Sequence, residues 1–142
     1  SYYNGDFIAL EKAHLNKGWK LVDNWHPDNK AGKRNSFVDV PMLEATRPGD
    51  RLTLDFRGKA IGIFCVSGPS AGILEYSVDG APFKELDTFT EWSHNLYIPW
   101  VYMLETELKD TDHKLVLRIS KKKNPASQGT ECQIRNFVVN GR

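Results

Sequence analysis

The sequence predicts an all-β domain, an antiparallel β-sandwich of the jelly-roll type with at most one short N-terminal helix. Three observations support this. Residues 51–56 (RLTLDF) alternate strictly between apolar and polar side chains, which is typical of a strand covered on one face. Asp79-Gly80 lies between two strand-like runs and is a strong hairpin signal. Long helical periodicity is missing after residue 18, which argues against a parallel α/β sheet.

The early chain is the least regular part of the predicted domain. Residues 1–18 form a lead-in segment, within which only residues 6–15 (DFIALEKAHL) suit a helix, and a short one. Strands are predicted at residues 19–25 (WKLVDNW) and 37–45 (FVDVPMLEA). Residues 47–50 (RPGD) then carry turn chemistry, so the next strand begins at Arg51.

The remaining strands follow from apolar runs and alternation. An almost wholly apolar run at 59–66 predicts a strand in the middle of a sheet, and alternation or turn residues predict the others, at 73–78, 82–89, 113–120 and 132–140. Residues 89–104 (FTEWSHNLYIPWVYML) are interpreted mainly as a connection. Pro99 interrupts any central strand there, and Trp92 to Trp100 is expected to form a loop surface.

Length and charge argue against some classes of function. A chain of 142 residues fits one domain, 1–142, with a core that needs neither metal nor disulfide. Nineteen Lys and Arg against eighteen Asp and Glu give a net charge of +1, which disfavours a nucleic-acid partner. The best apolar run, 61–66, is far too short to span a membrane. Lys121-Lys122-Lys123 is read as a solvated strand end, with a phosphate or acidic-ligand contact as the alternative.

The two cysteines, Cys65 and Cys132, both lie in apolar strand-like runs. Two buried free thiols are expected, and a disulfide closing a long loop stays open as the alternative. A disulfide of that length stabilises by about 4 kcal/mol in the chain-entropy model. The chain begins at Ser1 without a methionine, which is compatible with a removed leader.

Residues 68–72 (GPSAG) match the G-x-S-x-G pattern of a hydrolase nucleophile elbow, with Ser70 as the nucleophile. The elbow requires a strand followed by a helix, whereas a strand and its hairpin follow here. We therefore interpret the segment as a glycine-rich connection, and an esterase using Ser70 with His94 or His113 is the minor alternative. Asp23 and His26 have D-x-x-H spacing but precede any serine nucleophile, so no catalytic residue is predicted.

Metal and cofactor sites are not expected. The histidines His14, His26, His94 and His113 have no zinc-site spacing with one another or with the cysteines. Calcium held by Asp23, Asp28 and Asn29 is only a minor alternative, because no calcium-loop signature surrounds them. No phosphate-binding glycine loop is present in the sequence.

Aromatic and polar residues in the two loop-like stretches are the remaining candidate site. Tryptophan and tyrosine rings stack on the C–H faces of sugars, and nearby amides and imidazoles can bond hydroxyl groups. The competing interpretation is that large aromatics close the open ends of a sandwich. The candidate carbohydrate-binding residues are Trp25, His26, Asn29, Trp92, His94, Asn95, Tyr97 and Trp100.

Three segments together carry a family resemblance. They are RGKAIGIFCVSGPSAGILEYSVDG (57–80), FTEWS (89–93) and DHKLVLRISKKKNPASQGTECQIRNFVVNG (112–141). In order along the chain, they resemble the jelly-roll, carbohydrate-binding-module-like domain found beside SGNH (GDSL-type) hydrolase domains in polysaccharide-degrading bacteria. The Gly-Asp-Ser nucleophile motif of those hydrolases is absent.

The resemblance implies an exported, secreted or periplasmic protein. It also implies a non-catalytic accessory domain that binds polysaccharide, packs on an adjacent catalytic hydrolase domain, or does both. A purely structural docking domain with no ligand of its own is the alternative.

Overall fold

The computed structural model describes residues 6–26, 32–33 and 40–140, and it confirms the predicted antiparallel β-sandwich. The strands in chain order are β1 (Asp6–Ile8), β2 (His14–Lys17), β3 (Lys20–Val22), β4 (Gly32–Lys33), β5 (Met42–Ala45), β6 (Arg51–Gly58), β7 (Ala60–Ser67), β8 (Ile73–Val78), β9 (Lys84–Asp87), β10 (Leu96–Glu105), β11 (Thr111–Ile119) and β12 (Cys132–Asn140). One turn of 3-10 helix, Leu10–Lys12, lies between β1 and β2.

The larger sheet has seven strands in the order β3-β5-β12-β7-β10-β4, and β1 pairs with β12 beside this path. All its pairings are antiparallel except that of β10 with β4. The smaller sheet has five strands in the order β2-β6-β11-β8-β9, all antiparallel.

The core between the sheets is built by the alternation that the sequence shows. Leu52 and Leu54 of β6 and Leu115 and Leu117 of β11 are fully buried, while Arg51 and Asp55 face water. Opposite them lie apolar side chains of β7 and β12, including Ile63 and Phe137. Each fully buried aliphatic side chain stabilises the fold by roughly 1.5–3 kcal/mol.

A second apolar cluster covers the outer face of the larger sheet. Val66 and Met42 alternate with the core residues Cys65 and Leu43, so they point away from the smaller sheet. Trp25 and Tyr97 pack on them. The residues after β3 that include Trp25, and the start of β10, therefore fold over this face.

The prediction for residues 89–104 is wrong in one respect. A ten-residue strand, β10, runs through Pro99, where a loop surface was expected. On one side β10 pairs with β7, and on the other it pairs with β4 only at Leu96 and Tyr97. Beyond Tyr97 no described strand pairs with that outer side, and a proline without an N–H group is tolerated on such an edge.

The predicted lead-in segment contributes to both sheets. Residues 6–15 form β1, the 3-10 turn and the start of β2, so the helix allowed by the sequence is a single 3-10 turn. Leu10 at the start of this turn is buried in the core and ties the segment to the sandwich. Across the described ranges, no helix is long and apolar enough to cross a membrane.

Candidate functional site

Two tryptophans keep much of their side chain in water. Trp92 is 65% exposed and Trp100 is 47% exposed, whereas Trp19 and Trp25 are almost completely buried. A large exposed aromatic ring leaves apolar surface in contact with water, and such rings are enriched where proteins bind partners. These two residues define the candidate site.

Trp100 lies on β10, on the face directed at the smaller sheet. Trp100 pairs with the core residue Cys65 on the neighbouring strand β7, and Tyr102 lies on the same face of β10. The rings of Trp100 and Tyr102 have centroids 6.4 Å apart and are tilted by 44°. The sequence interpretation missed Tyr102, although positions 100, 102 and 104 have the period-two spacing that identifies one face of a strand.

The neighbourhood of Trp100 is held together by contacts between β10 and the edge of the smaller sheet. The Tyr102 hydroxyl donates to the Thr88 carbonyl at 3.4 Å, and the Lys84 ammonium lies 2.7 Å from the Glu105 carboxylate. Burial raises the pKa of Tyr102, so its hydroxyl stays a proton donor at neutral pH. Trp100 thus stands beside a closed seam between the two sheets.

Trp92 lies in a tight turn that precedes β10. The Thr90 and Ser93 hydroxyl groups are 3.0 Å apart, and the Trp92 N–H donates to Thr90 Oγ1 at 3.3 Å. The His94 ring meets Phe89 edge-on, with centroids 5.2 Å apart, and Asn95 follows in an exposed position. The turn therefore presents an indole, an imidazole and an amide close together along the chain.

Two of the predicted stacking residues have no free ring face. Trp25 is 3% exposed and Tyr97 is 5% exposed, and their rings meet edge-on at 5.3 Å on the outer face of the larger sheet. The indole N–H of Trp25 donates to Glu44 at 3.2 Å. Both rings are packing residues, as the alternative interpretation expected, but they cover the outer face of the larger sheet and not the open end of the sandwich.

His26 follows Trp25 in an exposed position, and Asn29 lies outside the described residues. Of the predicted site residues, those that are exposed at or next to β10 are Trp92, His94, Asn95 and Trp100.

The Ser70 segment is a connection between β7 and β8 and has no helix after it. Both of its end glycines lie at close approaches. A Cβ on Gly68 would be 2.2 Å from the Tyr97 ring, and one on Gly72 would be 2.7 Å from the Thr130 backbone. In the described part of the chain, no hydrogen bond joins Ser70 to a histidine. The pattern is explained by packing.

His113 forms a hydrogen bond at each of its ring nitrogens. Its Nδ1 lies 2.5 Å from the Asp79 carboxylate, and its Nε2–H donates to the Lys109 carbonyl at 2.7 Å. Burial alone would lower the pKa of His113, but the hydrogen bonds to Asp79 and Lys109 outweigh it and raise the pKa. The His113 bond and the Lys114 N–H lower the pKa of Asp79. With both nitrogens engaged, His113 is poorly placed to act as a general base.

Asp79 and His113 belong to the Ser-Val-Asp-Gly and Asp-His-Lys-Leu segments that carry the family resemblance. Asp79 has φ +56 in the hairpin turn, and its carboxylate also accepts the Lys114 N–H at 2.8 Å. The pair therefore ties the β8–β9 hairpin to the start of β11. In the described ranges, no cluster of three or more His, Cys, Asp or Glu residues is placed to hold a metal ion.

The fold is that of domains found in carbohydrate-active enzymes. A two-domain esterase active on acetylated mannans, co-crystallised with mannopentaose, superposes with a TM-score of 0.72 at 16% identity, over 100% of this chain and 38% of that one. A family two carbohydrate esterase from Cellvibrio japonicus gives 0.57 at 12% identity, over 97% and 34%. An exo-β-1,3-galactanase from Phanerochaete chrysosporium, with β-1,3-galactotriose, gives 0.60 at 11% identity, over 94% and 28%.

These similarities establish the architecture. The chain spans about a third of the length of the esterases that it resembles. No protein-family model matches the chain. No curated protein matches it in sequence. The likeness therefore lies in the β-sandwich itself, at identities that show the fold alone.

Proposed function

We propose that this chain is a non-catalytic accessory domain of a carbohydrate-active enzyme of the SGNH-esterase type, and that it binds polysaccharide through Trp100 and Trp92. The observation that carries the proposal is the exposure of these two rings in a protein that buries its other tryptophans. The carbohydrate-active enzymes among its structural neighbours support the same ligand class.

The surroundings suit a sugar. Trp100 offers a ring face beside Tyr102, and the turn at residues 90–95 offers His94 and Asn95, which can donate to and accept from hydroxyl groups. Each stacked ring contributes on the order of 1 kcal/mol beyond its area burial, so binding to a single oligosaccharide is expected to be weak. An exported location follows from this role.

The absence of a catalytic role is supported by the surroundings of Ser70 and His113. Ser70 lies in a packing connection, and both ring nitrogens of His113 are engaged by Asp79 and Lys109. Comparing hydrolysis of p-nitrophenyl acetate by the wild type and Ser70→Ala tests this. Equal background rates are expected, and a loss of activity in the variant would support an esterase.

Glycan titration tests the binding proposal. Mannopentaose and β-1,3-galactotriose are titrated first while amide chemical shifts and tryptophan fluorescence are followed, and a wider set of plant and host glycans comes next. We expect millimolar affinity, and Trp100→Ala should weaken it by between about twofold and tenfold. Phe7→Ala is the matched control, because Phe7 is 63% exposed and lies on the opposite face of the larger sheet from Trp100. No response to any glycan at millimolar concentration would contradict direct binding.

A second candidate function, docking on a catalytic domain, is favoured by an apolar strip on the outer face of the larger sheet. Phe7 is 63% exposed and its ring centroid lies 6.5 Å from that of Phe64. Val101 is 48% exposed and pairs with Phe64 across the strands. Contiguous exposed apolar surface of this kind marks interfaces.

Hydroxyl-radical footprinting distinguishes the two candidates. Oxidation of Phe7 and of Met103, which lies on the same face of β10 as Val101, is compared in the chain alone and in a mixture with a catalytic domain of the SGNH type. Docking predicts protection of both residues and not of Phe83, which lies just before the edge strand β9 of the smaller sheet. Unchanged oxidation of all three would contradict docking through this strip.

A further inference from the structure

One end of the sandwich carries two adjoining basic depressions. The turn at residues 47–50 joins β5 to β6 and borders both of them. The first, of about 550 Å³, is lined by residues that include Arg51, Arg118, Lys121 and Lys122. The second, of about 500 Å³, is lined by residues that include Lys17, Lys20 and Arg47.

Most of these cations have no carboxylate partner. Arg118 pairs with Glu75 at 2.7 Å and Lys122 pairs with Glu85 at 3.0 Å. Of the cations that line the two depressions, five are exposed and form no ion pair with a described residue: Lys17, Lys20, Arg47, Arg51 and Lys121. Because the whole chain has a net charge of only +1, this excess is local.

The one carboxylate in the second depression is buried and forms no ion pair with these cations. Asp50 is 4% exposed, and its carboxylate accepts the backbone N–H groups of Thr46 and Arg47 at 3.4 and 3.1 Å. A Cβ on Gly18 would overlap the same carboxylate, which shows how tightly the neighbouring turn packs on it. Asp50 therefore holds the backbone and leaves the positive charge on the surface.

The framework under the cations is fixed. Gly18 and Gly49 occupy turns with φ +77 and φ +88, and the Gly49 N–H donates to the Ile119 carbonyl at 2.8 Å. Lys17 Nζ lies 3.9 Å from the position of a Cβ on Gly49, so the lysine crosses the turn between the depressions. Arg47 and Arg51 add planar guanidinium groups, which bind carboxylates with two parallel hydrogen bonds.

We infer that this basic end, formed by Lys17, Lys20, Arg47, Arg51 and Lys121, binds a carboxylate-bearing polysaccharide, with uronic acid residues placed in both depressions. The inference rests on the proposed carbohydrate-related function and adds a charged subsite to it. Two depressions on either side of one turn suit an extended ligand with repeated anionic groups better than a single small anion. Attraction by exposed charges is screened over about 10 Å at 0.1 M salt, so the binding should be salt-sensitive.

The experiment compares polygalacturonate with fully methyl-esterified polygalacturonate, which has the same backbone without the charges. Binding is measured by affinity electrophoresis and calorimetry at low and at physiological salt. The variant Lys17→Gln/Arg47→Gln/Lys121→Gln should bind polygalacturonate roughly tenfold more weakly. The control Lys59→Gln/Lys109→Gln/Lys114→Gln removes the same charge from exposed residues elsewhere and should bind like the wild type. Circular dichroism is used to check that both variants are folded.

Each outcome decides between explanations. Binding to polygalacturonate that is lost in the first variant alone supports the basic end. Equal weakening in both variants, or equal affinity for double-stranded DNA, would mean nonspecific attraction of polyanions and overturn the inference. Binding of neutral oligosaccharides without binding of polygalacturonate would overturn it while leaving the proposed function intact.

Discussion

His113 and Asp79 show how a single residue pair can carry a resemblance between proteins without carrying chemistry. The imidazole is 9% exposed and bonded at both nitrogens, and the aspartate adopts the positive φ of the hairpin turn. Residues of this kind look catalytic in a sequence because they combine a histidine with an acid. Here they fix the hairpin on β11, and the consequence is a pH-dependent stability.

The sign of the pH dependence follows from the two pKa shifts. The pKa of His113 is raised above its ordinary 6.5. The stability that this residue adds to the fold is therefore complete below pH 6.5 and is lost as pH rises through the folded-state pKa. The pKa of Asp79 is lowered below its ordinary 3.8. The stability that this residue adds to the fold is therefore present above pH 3.8 and is lost as pH falls through the folded-state pKa. The pair therefore stabilises most between about pH 4 and pH 6.5.

We predict that His113→Gln lowers the free energy of unfolding by about 1–2 kcal/mol at the middle of this window, and by less at high pH. Because the Asp79 side chain is 48% exposed, solvent screening limits the effect. Urea unfolding followed by tryptophan fluorescence at several pH values measures it. His14→Gln, at an exposed position of β2, is the control. A difference between His113→Gln and wild type that stays constant with pH would contradict the ion pair.

At the scale of elements, the connection between β7 and β8 and the start of β10 form one packed unit. A Cβ on Gly68 would lie only 2.2 Å from the Tyr97 ring. The same ring meets the Trp25 ring edge-on and packs in the cluster with Val66. The ring cannot move away without breaking these contacts. The glycine is therefore required by packing, and its φ is not in the left-handed region that favours glycine.

Gly68→Ala should destabilise the protein by roughly 1–3 kcal/mol, since overpacking forces a shift of the ring or the backbone. The same substitution should cost much less in a Tyr97→Ala background, where the obstructing ring is absent. Thermal unfolding of the four proteins in this double-mutant cycle gives the coupling energy. Additive effects of the two substitutions would show that Gly68 and Tyr97 are not in contact.

Elements with a clear period were predictable, and those defined by tertiary pairing were not. Strands β6, β7, β8, β11 and β12 follow from alternation, apolar runs and turn residues in the sequence. Strand β10 was missed because Pro99 and an irregular order of apolar residues hide its period, and no described strand pairs with most of its outer side. Strands β1 and β2 are short and held by their partners, so local sequence gives no signal for them.

For the candidate site, the sequence predicted the residue types but not their arrangement. The sequence shows where the aromatic residues are along the chain. Which of them are buried depends on tertiary packing, because other parts of the chain cover the outer face of the larger sheet. Trp25 and Tyr97 lie under that cover, whereas Trp92 and Trp100 do not. A period of two over Trp100, Tyr102 and Leu104 was the one local signal that points to the strand face.

At the scale of the whole molecule, the two cysteines report on the integrity of the sandwich. Cys65 and Cys132 are free thiols, 1% and 3% exposed, within the core between the two sheets. Burial raises the pKa of Cys65 to about 12 and that of Cys132 well above its ordinary value. The thiolate is the reactive form, so both the burial and the raised pKa suppress reaction in the folded state.

We predict that both thiols react with a disulfide reagent such as DTNB only when the sandwich opens as a whole. With the stability usual for a domain of this size, labelling in native buffer should be at least about a thousandfold slower than in concentrated urea. Both cysteines should react at the same rate, because they lie on the paired strands β7 and β12, whose separation disrupts the core. Peptide mass spectrometry after timed labelling resolves the two sites. Gln128→Cys, which adds a thiol at an exposed position, is the positive control and should react immediately. Fast labelling of one native cysteine would reveal local opening of its strand, and two thiols that stay unreactive in urea until a reductant is added would show a disulfide.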